Sequence, residues 1–235
     1  METIFYCPDI TINPQLPESE SQHIVRVLRM KENDKLLLTD GKGFFYKAIL
    51  LEANPKRCIV SIEEKIPQPK EWNFNLHIAF APTKKSDRVE WFVEKATEIG
   101  IDTFIPLKSR YSERKNINAV RLEKIMVSAM KQSQKSRLPQ LNEMTKFEAL
   151  IEQPFDGQKF IAHCYDTFKT PLPQICEKET NALILIGPEG DFSEEEVAKA
   201  IEHGFIQISM GESRLRTETA ALVACHTVHV VNQLS

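Results

Sequence analysis

The sequence lacks any long apolar segment of the kind that spans a membrane. No apolar run in its 235 residues approaches the roughly 18–20 residues that a spanning helix requires. The N-terminus has no basic region followed by an apolar core, so a secretory signal is not expected. The five cysteines include no Cys-x-x-Cys pair and lie at Cys7, Cys58, Cys164, Cys176 and Cys225. We therefore expect a cytoplasmic protein with free thiols and no membrane partner.

Several common catalytic fingerprints are also absent. No Gly-x-Gly-x-x-Gly follows a strand, and there is no Gly-Lys-Ser/Thr phosphate loop. The sequence contains neither His-Glu-x-x-His nor Gly-x-Ser-x-Gly, which disfavours a zinc protease and an α/β-hydrolase. His226 and His229, with Cys225 beside them, suggest a metal site, but no fourth ligand is evident. A core or surface histidine pair is favoured, and no metal is expected.

The charge distribution is uneven. The chain has a net charge of −3, whereas residues 108–137 carry nine lysines and arginines against two glutamates, a local charge of +7. A basic stripe on an acidic protein could contact phosphates. The same pattern is typical of a solvated helix face, so both interpretations stay open.

The first 70 residues predict a small β-rich domain. Two strands flank Asp40–Gly43, a sequence that favours a hairpin turn. Ser19, with Gln22 three residues later, fits a capping box at the start of a helix. Short strands with one helix favour a small barrel. The strands are predicted at 3–6, 35–39, 44–51 and 57–62, and the helix at 19–29.

The polar side of this helix carries His23, Arg26 and Arg29. This side either contacts an RNA backbone or is a plain solvated surface. Two prolines at 67 and 69 disfavour helix and favour an extended linker. We place the domain boundary there, giving domains of residues 1–70 and 71–235.

The second domain alternates strands with helices, which predicts an α/β fold with a parallel sheet and helices on both faces. Ser86 and Ser193 are candidate N-caps, and Gly100 and Gly204 are candidate stops. The strands are predicted at 76–81, 103–107, 159–164, 182–186 and 205–210, and the helices at 87–99, 118–135, 194–203 and 217–231.

Two polar loops follow strands of this sheet. The apolar run 183–186 stops in Gly187-Pro188-Glu189-Gly190, and Met210 begins a loop that leads into the last helix. About twenty residues separate them, enough for one helix and one strand, so both should open at the edge where α/β sheets bind ligands. The glycines let backbone approach a flat heterocycle such as adenine.

Each loop also has a purely structural interpretation. Glu189 and Asp191 could cap the following helix, where negative charge is favoured. In the second loop Thr217 is placed as an N-cap, and Glu218 in the first turn suits the helix dipole. Yet an arginine such as Arg216 and a carboxylate at this edge also make a plausible reaction site.

Taken together, the two loops resemble a known family. IGPEGDFSEE at 186–195 and MGESRLRTETAAL at 210–222 are similar to the RsmE family of the SPOUT superfamily, bacterial methyltransferases that modify a uridine of 16S ribosomal RNA. The resemblance implies a C-terminal trefoil knot, a PUA-like N-terminal barrel and a homodimer. It also implies S-adenosylmethionine as the cofactor, 16S ribosomal RNA or the small ribosomal subunit as the partner, and N3-methyluridine as the product.

The resemblance assigns roles to particular residues. Two positions depart from the family: many relatives have glycine at Asp191 and arginine at Ser213, with Arg214 shifted by one. The implied cofactor-binding residues are His163, Ile186, Gly187, Pro188, Glu189, Gly190, Met210, Gly211, Leu215, Arg216, Thr217 and Glu218. The candidate RNA-binding residues are Arg26, Arg29, Arg114, Lys131 and Lys135.

For catalysis, Arg216 is the candidate that stabilises a developing uridinate, and Glu218 is a weaker candidate base. Two alternatives stay open: a SPOUT methyltransferase of another ribosomal or transfer RNA site, and a non-catalytic RNA-binding factor in ribosome assembly.

Overall fold

The computed structural model describes residues 3–234, and the chain divides into two compact units. Unit 1 comprises Met1–Glu71 and Val127–Leu138, and unit 2 comprises Trp72–Met126 and Pro139–Ser235. The first division falls beside the proline linker. Val127–Leu138 also belongs to unit 1, whereas the predicted boundary after residue 70 would place this segment in the second domain. It joins unit 1 because it contacts residues that are distant in sequence.

Unit 1 contains one four-stranded sheet in the order β1-β2-β3-β4. The predicted hairpin is confirmed: β2 and β3 pair antiparallel around a turn in which Gly41 and Gly43 have φ of +74° and +95°. These left-handed values favour glycine. The strands are β1 (Ile4–Tyr6), β2 (Lys35–Thr39), β3 (Phe44–Glu52) and β4 (Ile59–Pro67).

The predicted single helix at 19–29 is wrong in detail. Helix α1 (Glu18–Gln22) follows Pro17 without a side-chain cap, so the capping box of Ser19 does not form. The chain continues as a π-helix, His23–Val27, in which the Leu28 N–H donates to the His23 carbonyl at 3.0 Å. Just before this wider turn, the Ser21 hydroxyl donates to the Pro17 carbonyl and accepts from the Cys58 N–H. Such local side-chain bonds compete with regular helix.

Buried ion pairing holds Val127–Leu138 in unit 1. Lys131 Nζ lies 2.6 Å from Glu20 Oε1, and their side chains are 20% and 9% exposed. Lys135 Nζ lies 3.1 Å from Glu71 Oε2. The Gly43 N–H donates to the Ser136 carbonyl at 2.9 Å. These contacts join residues that no local sequence pattern relates.

Unit 2 is built on an eight-stranded sheet whose pairings are all parallel, which confirms the α/β prediction. The order is β10-β12-β9-β11-β5-β6-β7, with β8 also beside β6. The strands are β5 (Leu76–Phe80), β6 (Thr103–Lys108), β7 (Gln140–Leu141), β8 (Thr145–Lys146), β9 (Gln158–Ala162), β10 (Thr170–Pro171), β11 (Ala182–Ile186) and β12 (Ile206–Ser209).

Helices cover both faces of this sheet. Leu183 and Leu185 of β11 pack in one apolar cluster with Phe147 and Val197. On the other face, Phe80 stacks edge-on against neighbouring phenylalanines. The helices are α2 (Ser86–Ile99), α3 (Ala119–Gln132), α4 (Phe147–Ile151), α5 (Leu172–Ile175), α6 (Glu194–Glu202) and α7 (Thr217–Gln233).

Two of the predicted helix ends are found in the structure. The capping box of Ser193 and Glu196 is confirmed, with reciprocal bonds of 3.2 and 2.8 Å. Gly100 ends α2 at φ +130°, as predicted. Ser86 is not the cap of that helix but its first residue. All five cysteines are free, and no helix in the described chain is long and apolar enough to cross a membrane.

We predict that Lys131→Met destabilises unit 1, because it leaves the buried Glu20 carboxylate without its cation. The expected loss in the free energy of unfolding is roughly 1–3 kcal/mol, the usual cost of an unpaired buried polar group. Urea denaturation measures it. Lys84→Met is the control, since Lys84 pairs with Glu113 on the surface and such pairs contribute about 0–1 kcal/mol. Equal effects of the two variants would contradict the prediction.

Candidate functional site

A cavity of about 690 Å³ lies at the carboxyl ends of β9, β11 and β12. In the sheet β9 lies between the other two strands, and all three run parallel. The loops that follow them therefore emerge side by side at one edge. This edge is where both glycine-containing loops were predicted to meet.

Most of the predicted cofactor residues line this cavity. They are His163, Ile186, Gly187, Pro188, Glu189, Met210, Gly211, Leu215, Arg216 and Thr217. Gly190 and Glu218 do not. Further lining residues outside that set include Ala162, Cys164, Lys169, Ile208, Ser209, Glu212 and Ala220. These residues were not predicted because no sequence motif marks the end of a strand. The pairing of neighbouring strands brings them to the cavity.

The loop after β11 is bound to the loop after β9 through Asp191. Its Oδ2 accepts from the Cys164 N–H at 2.7 Å, and its Oδ1 accepts from the Phe192 N–H at 2.8 Å. Asp191 has φ +68°, a left-handed conformation that glycine adopts most easily. The geometry explains how Asp191 can stand where many relatives have glycine: aspartate tolerates this region better than most residues. It does not cap α6, which Ser193 does.

The loop after β12 is bound to the loop after β11 through Thr217. The Thr217 hydroxyl donates to the Gly187 carbonyl at 3.0 Å. Arg216, not Thr217, occupies the N-cap position, so the predicted capping role of Thr217 is wrong. A Cβ on Gly187 would lie 3.1 Å from Phe192, tighter than normal contact. The backbone here is thus packed closely at the wall of the cavity.

Two arginines stand at the open side of the cavity. Arg214 and Arg216 are exposed and line it from the loop after β12. Gly211 in the same loop has φ +106°, and a Cβ there would meet nothing within 4 Å, so conformation alone requires the glycine. The guanidinium groups give this side of the cavity a positive charge that suits an anionic ligand or transition state.

Glu218 lies outside the cavity lining. Its Oε1 lies 3.5 Å from Arg88 Nε, and the side chain is 9% exposed. Within residues 3–234 its Oε2 has no hydrogen-bond partner. The carboxylate is therefore directed to α2 and not to the space that Arg216 faces.

His163 is held at the wall of the cavity. It is 8% exposed, and its Nε2 lies 2.9 Å from Gln207 Oε1. Burial lowers the pKa of His163. The imidazole is accordingly neutral at physiological pH.

The predicted RNA-binding residues differ in their availability. Arg26 and Arg29 are exposed in unit 1. Arg114 is half-buried in unit 2 and donates to the Lys84 carbonyl at 2.9 Å. Lys131 and Lys135 are each paired with a carboxylate. The predicted set therefore contains cations of two kinds: the exposed Arg26 and Arg29, and three residues of the basic stripe that already bond within the protein.

The histidines of α7 serve different roles. His229 is buried against Trp72 and Phe74 and lies 2.5 Å from the Gly100 carbonyl, whereas His226 is exposed. In the part of the chain that the structure describes, no group of three or more His, Cys, Asp or Glu side chains could hold a metal ion.

Comparison with known proteins relates both units to RNA-modifying enzymes. The family described as RNA methyltransferase domain matches residues 70–229, and the family described as RNA methyltransferase PUA domain matches residues 16–63. The ribosomal RNA small subunit methyltransferase E of Bacillus subtilis is 27% identical over 228 residues, covering 92% of this chain and 89% of that protein.

Solved structures agree with these matches. A probable rRNA-methyltransferase from Porphyromonas gingivalis has 43% identity and a TM-score of 0.94, with 98% of both chains covered. A ribosomal RNA small subunit methyltransferase E from Neisseria gonorrhoeae, bound to S-adenosyl methionine, has 28% identity and a TM-score of 0.84, with 98% of both chains covered. The parallel sheet and its cavity thus define an RNA methyltransferase. Within that class, the chain belongs to the RsmE family.

We predict that Asp191 stabilises the wall of the cavity by its two hydrogen bonds. Asp191→Gly loses both, which should lower the free energy of unfolding by roughly 1–3 kcal/mol. Asp191→Ala also strains a left-handed residue, at a further cost of about 1–2 kcal/mol. Asp191→Asn keeps an acceptor and tolerates φ > 0, so it serves as the control. If urea denaturation gives Asp191→Ala and Asp191→Asn the same free energy of unfolding, the prediction is wrong.

Proposed function

We propose that this protein transfers the methyl group of S-adenosylmethionine to ribosomal RNA of the small ribosomal subunit, in the cytoplasm. The observation that carries the proposal is the single cavity formed by the loops after β9, β11 and β12, in a chain of the RsmE family. The Neisseria relative is bound to S-adenosyl methionine. We assign the same cofactor to this chain because the two chains share the fold over 98% of their lengths.

The residues of the cavity fit this cofactor. About 690 Å³ is ample for one nucleoside-sized ligand. Apolar Ile186, Ile208 and Leu215 offer surface for an adenine ring, and Gly187 and Gly211 leave backbone accessible to it. When bound, the cofactor supplies an electrophilic methyl group on sulfur. We propose the cofactor set given by the sequence, with Gly190 and Glu218 supporting the loops from outside the lining.

We further propose that the crossing of these loops is a trefoil knot. Strand β12 lies beyond β9, whereas α7 packs against α2, β5 and β11. The segment 210–216 must therefore return across the ends of β9 and β11. The bond from Thr217 to Gly187 fastens that return. In unit 1 we propose that the four-stranded sheet belongs to a PUA-like barrel, which the match over residues 16–63 supports.

We propose N3 of a uridine as the methyl acceptor. This nitrogen carries a weakly acidic proton that must leave as the new bond forms. Arg216 faces the cavity and is placed to stabilise negative charge on a uridine oxygen. Glu218 is the weaker candidate to accept the proton, because its carboxylate would first have to leave Arg88. Alignment of nitrogen and methyl group supplies much of the remaining acceleration.

The exposed arginines are proposed to bind the RNA backbone. Arg26 and Arg29 have no carboxylate held against them by a salt bridge among the described residues. Arg114 contributes from unit 2. Lys131 and Lys135 act mainly on stability, since each is neutralised locally. Binding through phosphates should weaken steeply as salt is raised.

We propose a homodimer formed through α7. One face of this helix packs on its own sheet. Another face carries a half-exposed row at helical spacing, formed by Thr219, Leu222, Val223 and Val230 with exposed His226 among them. Leu222, Val223 and Val230 are half-exposed apolar side chains on this face, and such side chains are typical of a surface that a partner covers.

We expect Arg216→Ala to bind S-adenosylmethionine within about threefold of the native protein and to lose roughly 10²–10³ in kcat, the usual cost of removing one oxyanion donor. Methyl transfer is measured on small subunits from cells that lack the gene, with the methylated nucleotide mapped by mass spectrometry. Arg214→Ala is the matched control from the same loop. Full turnover of Arg216→Ala would refute the assignment. Absence of cofactor binding by the native protein would instead favour a non-catalytic RNA-binding factor.

We expect Leu222→Asp to convert the dimer to a monomer, because a carboxylate cannot be buried cheaply in an apolar interface. Light scattering after size-exclusion chromatography gives the mass, and circular dichroism verifies the fold. Ile201→Asp is the control, since Ile201 is an exposed apolar residue on α6. A dimer that survives Leu222→Asp while both variants stay folded would place the interface elsewhere.

A further inference from the structure

The imidazole of His163 leaves one nitrogen without a protein partner at the wall of the cavity. Its Nε2 lies 2.9 Å from Gln207 Oε1, while Nδ1 is buried and unbonded by any described residue. The side chain is 8% exposed and lines the cavity. A buried polar atom without a partner is costly unless a ligand or water satisfies it.

Gln207 decides which nitrogen carries the proton. An amide oxygen can only accept, so Nε2 must be the donor, and in the neutral ring Nδ1 then presents a lone pair. The register of the sheet produces this contact: Gln207 of β12 pairs with Ile161 of β9, two residues before His163 and on the same side of the strand. Thr167 Oγ1 donates to the same amide oxygen at 3.3 Å, which reinforces its orientation.

The charges around His163 limit which donor can approach Nδ1. Lys169 donates from Nζ to the His163 carbonyl at 3.1 Å and lines the same cavity. Arg214 is close enough to affect the neighbouring Cys164. Lys169 lowers the pKa of His163 more than Asp191 raises it, so the positive charge outweighs the negative charge at the ring. A neutral donor is therefore favoured over an ammonium group.

We infer that His163 Nδ1 accepts a hydrogen bond from a neutral donor on the adenosyl half of the cofactor, and that Gln207 is the positioning residue that keeps this lone pair available. The inference rests on the proposed function. The donor is the adenine amino group or a ribose hydroxyl, and not the ammonium of the methionyl half. The Gln207 side chain hydrogen-bonds to His163 and Thr167.

Protonation of His163 should abolish this acceptor. Burial lowers the pKa of His163; the bond to Gln207 raises it, Lys169 lowers it, and Asp191 raises it. The other titratable groups nearby are Tyr165, whose ring lies 5.6 Å from the imidazole, and Cys164, next in the chain, on which Arg214 also acts. A ligand that needs the neutral ring binds with full affinity above the pKa of His163. Its affinity falls as the pH drops through this pKa, which lies below the ordinary 6.5.

The test measures binding of S-adenosylhomocysteine and adenosine by calorimetry, from pH 5 to 8. His163→Leu should weaken both ligands by the same factor, about 5- to 10-fold for one lost hydrogen bond. His163→Asn places an amide oxygen near the position of Nδ1 and should recover most of the affinity. Gln207→Leu should weaken binding less than His163→Leu and should let nitrogen NMR detect the Nδ1–H tautomer. Gln207→Glu should move the loss of affinity to higher pH, because a carboxylate raises the pKa of His163.

Fragments identify the donor. Inosine lacks the amino group, and 2′,3′-dideoxyadenosine lacks the 2′ and 3′ hydroxyls, which are the ribose hydroxyls of the cofactor. If the affinity of one fragment is the same for the native protein and for His163→Leu, the group missing from that fragment is the donor. If adenosine binds His163→Leu as it binds the native protein while S-adenosylhomocysteine is weakened, the donor lies in the amino-acid half and the inference is overturned. It is equally overturned if both ligands bind normally and only methyl transfer is lost, the result for a general base. Failure of the native protein to bind either ligand would refute the proposed function instead.

Discussion

The parallel pairing of β9 with β11 on one side and β12 on the other is the constraint on which the site depends. Each pairing fixes where a strand ends, and the strand ends fix where the loops begin. Asp191 then joins the first two loops, and Thr217 joins the last two. Without both pairings Gln207 would not meet His163, and the Gly187 carbonyl would not meet the last helix. The register of the sheet therefore determines which functional groups meet in the site.

Much of this arrangement was predictable because its signals are local. The bounds of β11 follow from its apolar run, and the capping box at Ser193 needs only residues three apart. What failed was non-local. Thr217 was expected to cap its own helix, but its hydroxyl finds a carbonyl 30 residues away. Lys131 belonged to a basic stripe, yet its partner Glu20 lies 111 residues away. Composition cannot show which cations are already neutralised.

The site combines a rigid wall with a charged opening. Its wall is backbone and buried side chains that, apart from His163 Nδ1, make their hydrogen bonds within the described protein, so binding a ligand need not reorder them. Its opening holds exposed guanidinium groups. These groups are carried on long side chains, so they can move to contact a substrate. This separation suits a reaction in which a small cofactor is held firmly while a large polyanion comes and goes.

An aspartate in a left-handed turn changes the entropy of the loop as well as its contacts. Glycine at this position would leave the unfolded chain more conformations to lose, an entropic advantage of Asp191 that the cost of its left-handed conformation offsets in part. Its carboxylate also fixes the neighbouring strand end through a bond made wholly within the protein. This bond holds the loop in place without a contact from the ligand, so less of the binding free energy is spent on ordering it.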